Sequence, residues 1–301
     1  MSIIIKTYNN SEFTYNSFND INSDIYNIIN YLDCSYMNIY DLNPVVLNFI
    51  NLKILICNNN NLISLPKDFV NLNKLEIILL NNNKFNEIPT MIYNINGLKK
   101  LSMIGNNITC ITKAIKNLYN LTYLNLSSNK ICMISREIDA LKYLEVLNLK
   151  NNKLKTITNN ISLFNLRELL LSNNYLKHLP NNFSNLINLE ILDFDNNMIM
   201  CFPKEIGMLK NIKRINANFN NISLIPTTFN NLKNIDYISV ICNNITNMND
   251  INIKNKIIYN IKEISKIDSI IETEKIINNN KIDKTLQICN LINNIINMNI
   301  D

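Results

Sequence analysis

The chain has 301 residues, 47% of them hydrophobic and 18% charged, a balance that supports a packed core and excludes a disordered polypeptide. Only three glycines occur, Gly97, Gly105 and Gly207, so no glycine-rich phosphate or dinucleotide loop can be written; the single histidine, His178, excludes metal or acid–base chemistry that needs two imidazoles. The formal charge of +5 is carried by scattered lysines rather than a basic arm or patch, which speaks against a nucleic-acid partner.

Roughly a fifth of the chain is asparagine and isoleucine is nearly as common, the mark of an A+T-rich coding sequence. Asn-X-Ser/Thr matches such as Asn107-Ile108-Thr109 therefore carry little weight as glycosylation sites. The seven cysteines, at 34, 57, 110, 132, 201, 242 and 289, form no C-x-x-C pair. Cys34 and Cys57 fall at core positions, where a thiol serves as a small hydrophobe, and this usage suits a reducing compartment. The opening MSIIIKTYNNSEF is too short in its apolar run for a signal peptide, and no stretch of about 18 apolar residues is present. The expectation is a soluble, cytoplasmic monomer that binds no membrane.

In chain order, residues 1–28 read as an N-terminal cap and 29–51 as a degenerate first repeat, with Met37 where an asparagine belongs. From Leu52 the pattern apolar-x-x-apolar-x-apolar-x-x-Asn-x-apolar recurs nine times, with its asparagine at Asn60, Asn83, Asn106, Asn129, Asn152, Asn174, Asn197, Asn220 and Asn243. The spacing is 23 residues throughout, except for 22 between Asn152 and Asn174. The second half of the unit repeats as well: Leu65-Pro66, Ile88-Pro89, Leu179-Pro180, Phe202-Pro203 and Ile225-Pro226. Three central units replace the proline with Thr112, Ser135 and Thr158.

Alternation such as Leu144-Glu145-Val146-Leu147-Asn148-Leu149 has period two, so each unit contributes a short strand with one face inward. The asparagine then marks a tight turn, and its amide, acceptor and double donor at once, can satisfy backbone groups of its own and a neighbouring coil. Spacings of three in Pro203, Ile206 and Leu209 suit one helical or 3₁₀ turn on the return. One unit cannot bury its apolar edge alone, so units must stack with their strands parallel. Residues 29–253 thus read as the solenoid. From about Lys254 the spacing turns helical, with Ile257, Ile261, Ile264, Ile267 and Ile271, and 254–301 reads as a C-terminal helical cap or docking segment.

LEVLNLKNNKLKTI (144–157) and LEIILLNNNKFNEIP (75–89) resemble the leucine-rich repeat family, and the 23-residue L-P-x-x-I-x-x-L form is similar to its intracellular, Ras-suppressor-like subgroup. The resemblance implies an α/β fold: a right-handed β-α superhelix curved into a horseshoe with a concave parallel sheet, used for protein binding. It implies no cofactor.

Residues between the inward apolar positions point to the concave face. The expected partner-binding set is Ile54, Ile56, Ile77, Leu79, Tyr123, Val146, Ile191, Arg214 and Tyr237, with Ile54, Ile56, Ile77 and Leu79 an apolar block on two adjacent strands. Catalysis finds no foothold. His178 reads as an exposed turn residue, Cys242 lacks a base, and Glu190, Asp193 and Asp195 read as solvated surface rather than a cation site. The expected function is a non-enzymatic scaffold that binds a partner protein in intracellular signalling, or in host signalling if the source is a parasite or virus. The alternative is the substrate-recognition subunit of a ubiquitin ligase.

Overall fold

A computed structural model describes residues 2–157, 161–180, 182–246 and 251–258. Among these, thirteen strands form one sheet. Its parallel part consists of β3 (Ile29–Asp33), β4 (Ile54–Ile56), β5 (Ile77–Leu79), β6 (Lys100–Ser102), β8 (Tyr123–Asn125), β10 (Val146–Asn148), β11 (Glu168–Leu170), β12 (Ile191–Asp193), β13 (Arg214–Asn216), β14 (Tyr237–Ser239) and β15 (Ile257–Ile258). Equivalent residues of successive units lie directly opposite one another, Ile54 beside Ile77, Ile77 beside Lys100, and Lys100 beside Tyr123. The 22-residue unit keeps this alignment, with Val146 opposite Glu168, because the deletion falls outside the strands.

The return segments are 3₁₀ turns, among them Lys67–Asn71, Lys113–Asn117, Arg136–Ala140, Lys204–Met208 and Thr227–Asn231. A residue near each turn's start accepts from the N–H three places on, as in Phe69 N to Pro66 O at 3.0 Å. That geometry aims Phe69, Ile115, Ile138, Ile206 and Phe229 at the strands, and all five are buried. The wider turns on one side and the 4.8 Å strand spacing on the other bend the stack, so the sheet lies on the inner side. Between the layers, Phe194, Phe202 and Phe229 meet edge to face at 5.8 and 4.8 Å.

The central units that lack proline do something the others cannot. Cys110–Ile111 (β7) and Met133–Ile134 (β9) pair as a small second parallel sheet, and the Ser135 N–H donates to Ile111 O at 2.9 Å. Proline at this position would have no N–H to give.

The ends differ in kind. At the N-terminal edge, β1 (Ile3–Thr7) pairs antiparallel with both β3 and β2 (Glu12–Tyr15), burying Ile3 and Ile5 completely. This hairpin covers the strand edge that the first coil would otherwise leave open. At the other end, spacing alone places Ile257 on a helical stripe, but the structure corrects this. Lys254–Lys256 form a 3₁₀ turn, and Ile257–Ile258 extend the parallel sheet as β15. The exposed edge of β14 decides the matter, since the Val240 N–H finds its acceptor, Ile258 O, at 2.8 Å. The rest of the expected helical cap, 259–301, lies outside the described residues, as does Thr158.

Candidate functional site

The rigidity of any binding surface here rests on the asparagine column. In every clear repeat the asparagine Nδ2 donates to a carbonyl of the preceding coil, from Asn60 to Cys34 O through Asn152 to Leu126 O to Asn243 to Ala217 O, at 2.8–3.1 Å. Its Oδ1 accepts an N–H from that same preceding coil at 2.9–3.2 Å, as in Ile131 N to Asn152 Oδ1. Nδ2 also reaches carbonyls of its own coil, Leu149 O and Lys150 O in the case of Asn152, at 3.1 Å each. One side chain thus closes its own turn and locks two coils together.

Sequence reasoning assigned no role to the residue just before each ladder asparagine, yet that residue carries the turn. Asn59, Asn82, Gly105, Ser128, Asn151, Asn173 and Asn196 all have φ between +51° and +64°, as do Phe219 and Cys242. Asparagine and glycine tolerate this left-handed conformation, which explains the recurring Asn-Asn pair. The repeated pair was the available signal.

On the open face, the third position of the repeat unit, which opens each strand, presents Ile54, Ile77, Tyr123, Val146, Ile191 and Arg214 half-buried, and the fifth position adds Ile56. Two members of the expected set depart from it. Leu79 is 2% and Tyr237 4% exposed, so neither offers a partner much surface. Leu79 stands between Ile56 and Ser102, and Tyr237 packs against Ile241 and Ile258 where β15 extends the sheet. Leu170, half-buried between Asn148 and Asp193 on the same face, belongs to the accessible surface. Lys100 lies flat, with its Nζ 4.3 Å from the Tyr123 ring centroid, so a cation tops the aromatic at the middle of the row.

Asp193 also departs from the sequence reading of a solvated surface. It is 5% exposed, with Oδ2 at 2.5 Å from Lys150 Nζ and Oδ1 accepting from Ser172 Oγ. Glu190 lies elsewhere, on the rim, held by Arg167 and Lys213, so the three carboxylates do not converge. Stacking explains the change: Lys150 and Ser172 lie in preceding coils, and only the assembled solenoid brings them over the carboxylate. His178 and Cys242 are both exposed.

Asp195 sits beside this ion pair. Burial, and next the charge of Asp193, push its carboxyl up to about 6. A carboxyl raised on folding binds more protons in the native state, so its contribution is fully present below about pH 4 and lost as pH rises through 6. Asn218 N donates to Asp195 Oδ1 at 2.8 Å, and three coils show asparagine in the same role, Asn58 accepting from Asn81, Asn81 from Ile104 and Asn218 from Ile241. Asp195→Asn is therefore expected to stabilise the protein by about 1–2 kcal/mol at pH 7 and by little near pH 4. Urea melts across that range check it; a gain independent of pH would remove the electrostatic explanation.

No family model and no curated protein sequence matches the chain. Solved structures do. A leucine-rich repeat protein of Leptospira interrogans superposes with a TM-score of 0.62 at 27% identity, over 72% of this chain and 67% of its own. The plant peptide hormone receptor RGFR1, in complex with RGF2, gives a TM-score of 0.61 at 26% identity over 67% of this chain, which spans only 34% of the receptor's length. The internalin InlF of Listeria monocytogenes, at 20% identity and a TM-score of 0.62 over 73% of this chain, shares the fold. With its 23-residue coil, its asparagine column and these neighbours, the chain has the leucine-rich repeat solenoid fold.

Proposed function

We propose that the chain is a protein-binding module whose partner lies along the inner face of the sheet. The observation that carries this reading is the row of half-buried apolar side chains, Ile54, Ile77, Tyr123, Val146 and Ile191, held in line on a hydrogen-bonded backbone. Such a surface loses little conformational entropy on binding, and its aromatic and aliphatic members suit an interface centre. The hormone-bound receptor among the structural neighbours supports a peptide or protein ligand over a small molecule. Binding rather than catalysis is also favoured by Asp193, which is neutralised by Lys150 and does not stand open as a reactive group.

The Leu-Pro form of the repeat favours the intracellular, Ras-suppressor-like subgroup. The six described cysteines are free thiols, with Cys34 and Cys57 buried as small hydrophobes, and this supports a reducing, cytoplasmic setting and a role in signalling. Among the described residues no helix is long and apolar enough to cross a membrane.

Replacing Tyr123 and Val146 together by alanine tests the proposal. Capture of a partner from the native cell by the tagged full chain is expected to fall at least tenfold, with circular dichroism unchanged. Equal capture by the variant would place the partner elsewhere.

A further inference from the structure

Along the rim where return segments enter the strands runs a groove of ≈ 810 Å³, lined by seven successive coils from Gly97 to Asn234. It is separate from the inner face. One wall is a second asparagine column that the sequence reading did not separate from the first. Asn120, Asn165, Asn188 and Asn211 each donate Nδ2 to a carbonyl of the preceding coil at 2.7–2.9 Å. Among the described residues no donor reaches their Oδ1 atoms, which stay available as acceptors for a polypeptide N–H.

The other wall carries Lys99, Thr122, Glu145, Arg167, Glu190 and Lys213 in successive coils, and Glu76 and Lys53 continue the row beyond the groove. Glu190 holds Arg167 and Lys213, each at 2.6 Å, and Glu76 holds Lys99 at 2.7 Å and Lys53 at 3.8 Å. Each of these triads joins two cations to one anion and so keeps a surplus positive charge. Glu145 stands between them, exposed, and no ion pair is formed by it among the described residues. At the same coil the asparagine column is interrupted by Tyr143, 58% exposed. A carboxylate beside an open aromatic ring is a setting that takes a lysine or arginine side chain.

We infer that the rim groove binds an extended polypeptide segment in which a basic residue is flanked on both sides by acidic ones. The basic side chain meets Glu145 and Tyr143, and the acidic neighbours meet the surplus cations of the two triads. On the Lys99 side the lengths agree, since two coils at about 4.8 Å match three extended residues at about 3.3 Å; on the other side the same span ends at Glu190, between Arg167 and Lys213. Lys99 lies two coils from Glu145 on one side, and Arg167 and Lys213 lie one and three coils away on the other.

The probes are two fluorescein-labelled, end-capped peptides, GSPDSPRSPDSPG and its charge-inverted counterpart GSPRSPDSPRSPG, titrated against the full chain at low salt by fluorescence anisotropy. The first is expected to bind at least tenfold more tightly than the second, with the ratio shrinking as salt is added. Glu145→Lys should abolish that ratio, while Ile77→Asp on the inner face should leave it intact. Equal binding, binding of neither peptide, preference for the inverted peptide, or a preference that survives Glu145→Lys would each overturn the inference. Loss of the ratio on Ile77→Asp would overturn it as well, by moving the peptide to the inner face.

Discussion

Replacing Asn152 by alanine is expected to destabilise the protein by about 3–5 kcal/mol, far beyond the loss of one ordinary hydrogen bond. The residue is 6% exposed and its amide engages Leu126 O, Leu149 O, Lys150 O and the Ile131 N–H at 2.9–3.1 Å. Alanine would strand the Ile131 N–H with no acceptor, and a buried donor left in that way costs about 1–3 kcal/mol by itself. Each carbonyl loses one of two donors, since Asn129 still donates to Leu126 O, Asn174 to Leu149 O and the Ser128 N–H to Lys150 O. Because the bonds tie this coil to the one before it, the damage should spread to the interface between the two. Thermal unfolding followed by circular dichroism should show a drop of many degrees, and hydrogen exchange should accelerate first at Ile131 and at Lys153, whose N–H donates to Ile131 O across that interface. A melting temperature within a degree of the parent would mean that the column does not hold the coils.

Gly207→Ala is the second large effect. A methyl group at Gly207 would lie 2.4 Å from Thr228 O and 2.9 Å from Thr228 C, which are backbone atoms of the adjacent return segment. Relieving that contact means separating Lys204–Met208 from Thr227–Asn231, at about 2–3 kcal/mol. Gly97 supplies the control. A methyl there meets nothing nearer than Leu75 O at 3.6 Å, so Gly97→Ala should be neutral or mildly stabilising through the lower entropy of the unfolded chain. Urea midpoints for the two variants decide it, and similar shifts would show that the return segments are not in tight register.

The repeat was legible in the sequence because its determinants are local. Period-two apolar residues, an asparagine at a constant offset and proline or its absence in the return each act within one coil. Nine copies in register leave stacking as the only way to bury the apolar edge. The open side of the sheet was legible for the same reason, since alternation alone says which side chains leave the core.

What a single coil could not reveal is anything that depends on its neighbours. The burial of Tyr237 follows from Ile241 and Ile258 packed against it, and the pairing of Asp193 with Lys150 joins residues 43 positions apart. Ile257 illustrates the limit at the last described strand. Its spacing is as compatible with a helix as with a strand, and the open edge of β14 chose the strand. By itself the sequence determined the coil, its length and its inward face, through bonds and contacts that each unit makes internally. Only the tertiary structure decided which outward side chains remain open, which charges are spent on one another and where a rim groove forms, because those outcomes arise from the 23-residue neighbour brought within a few ångströms by stacking.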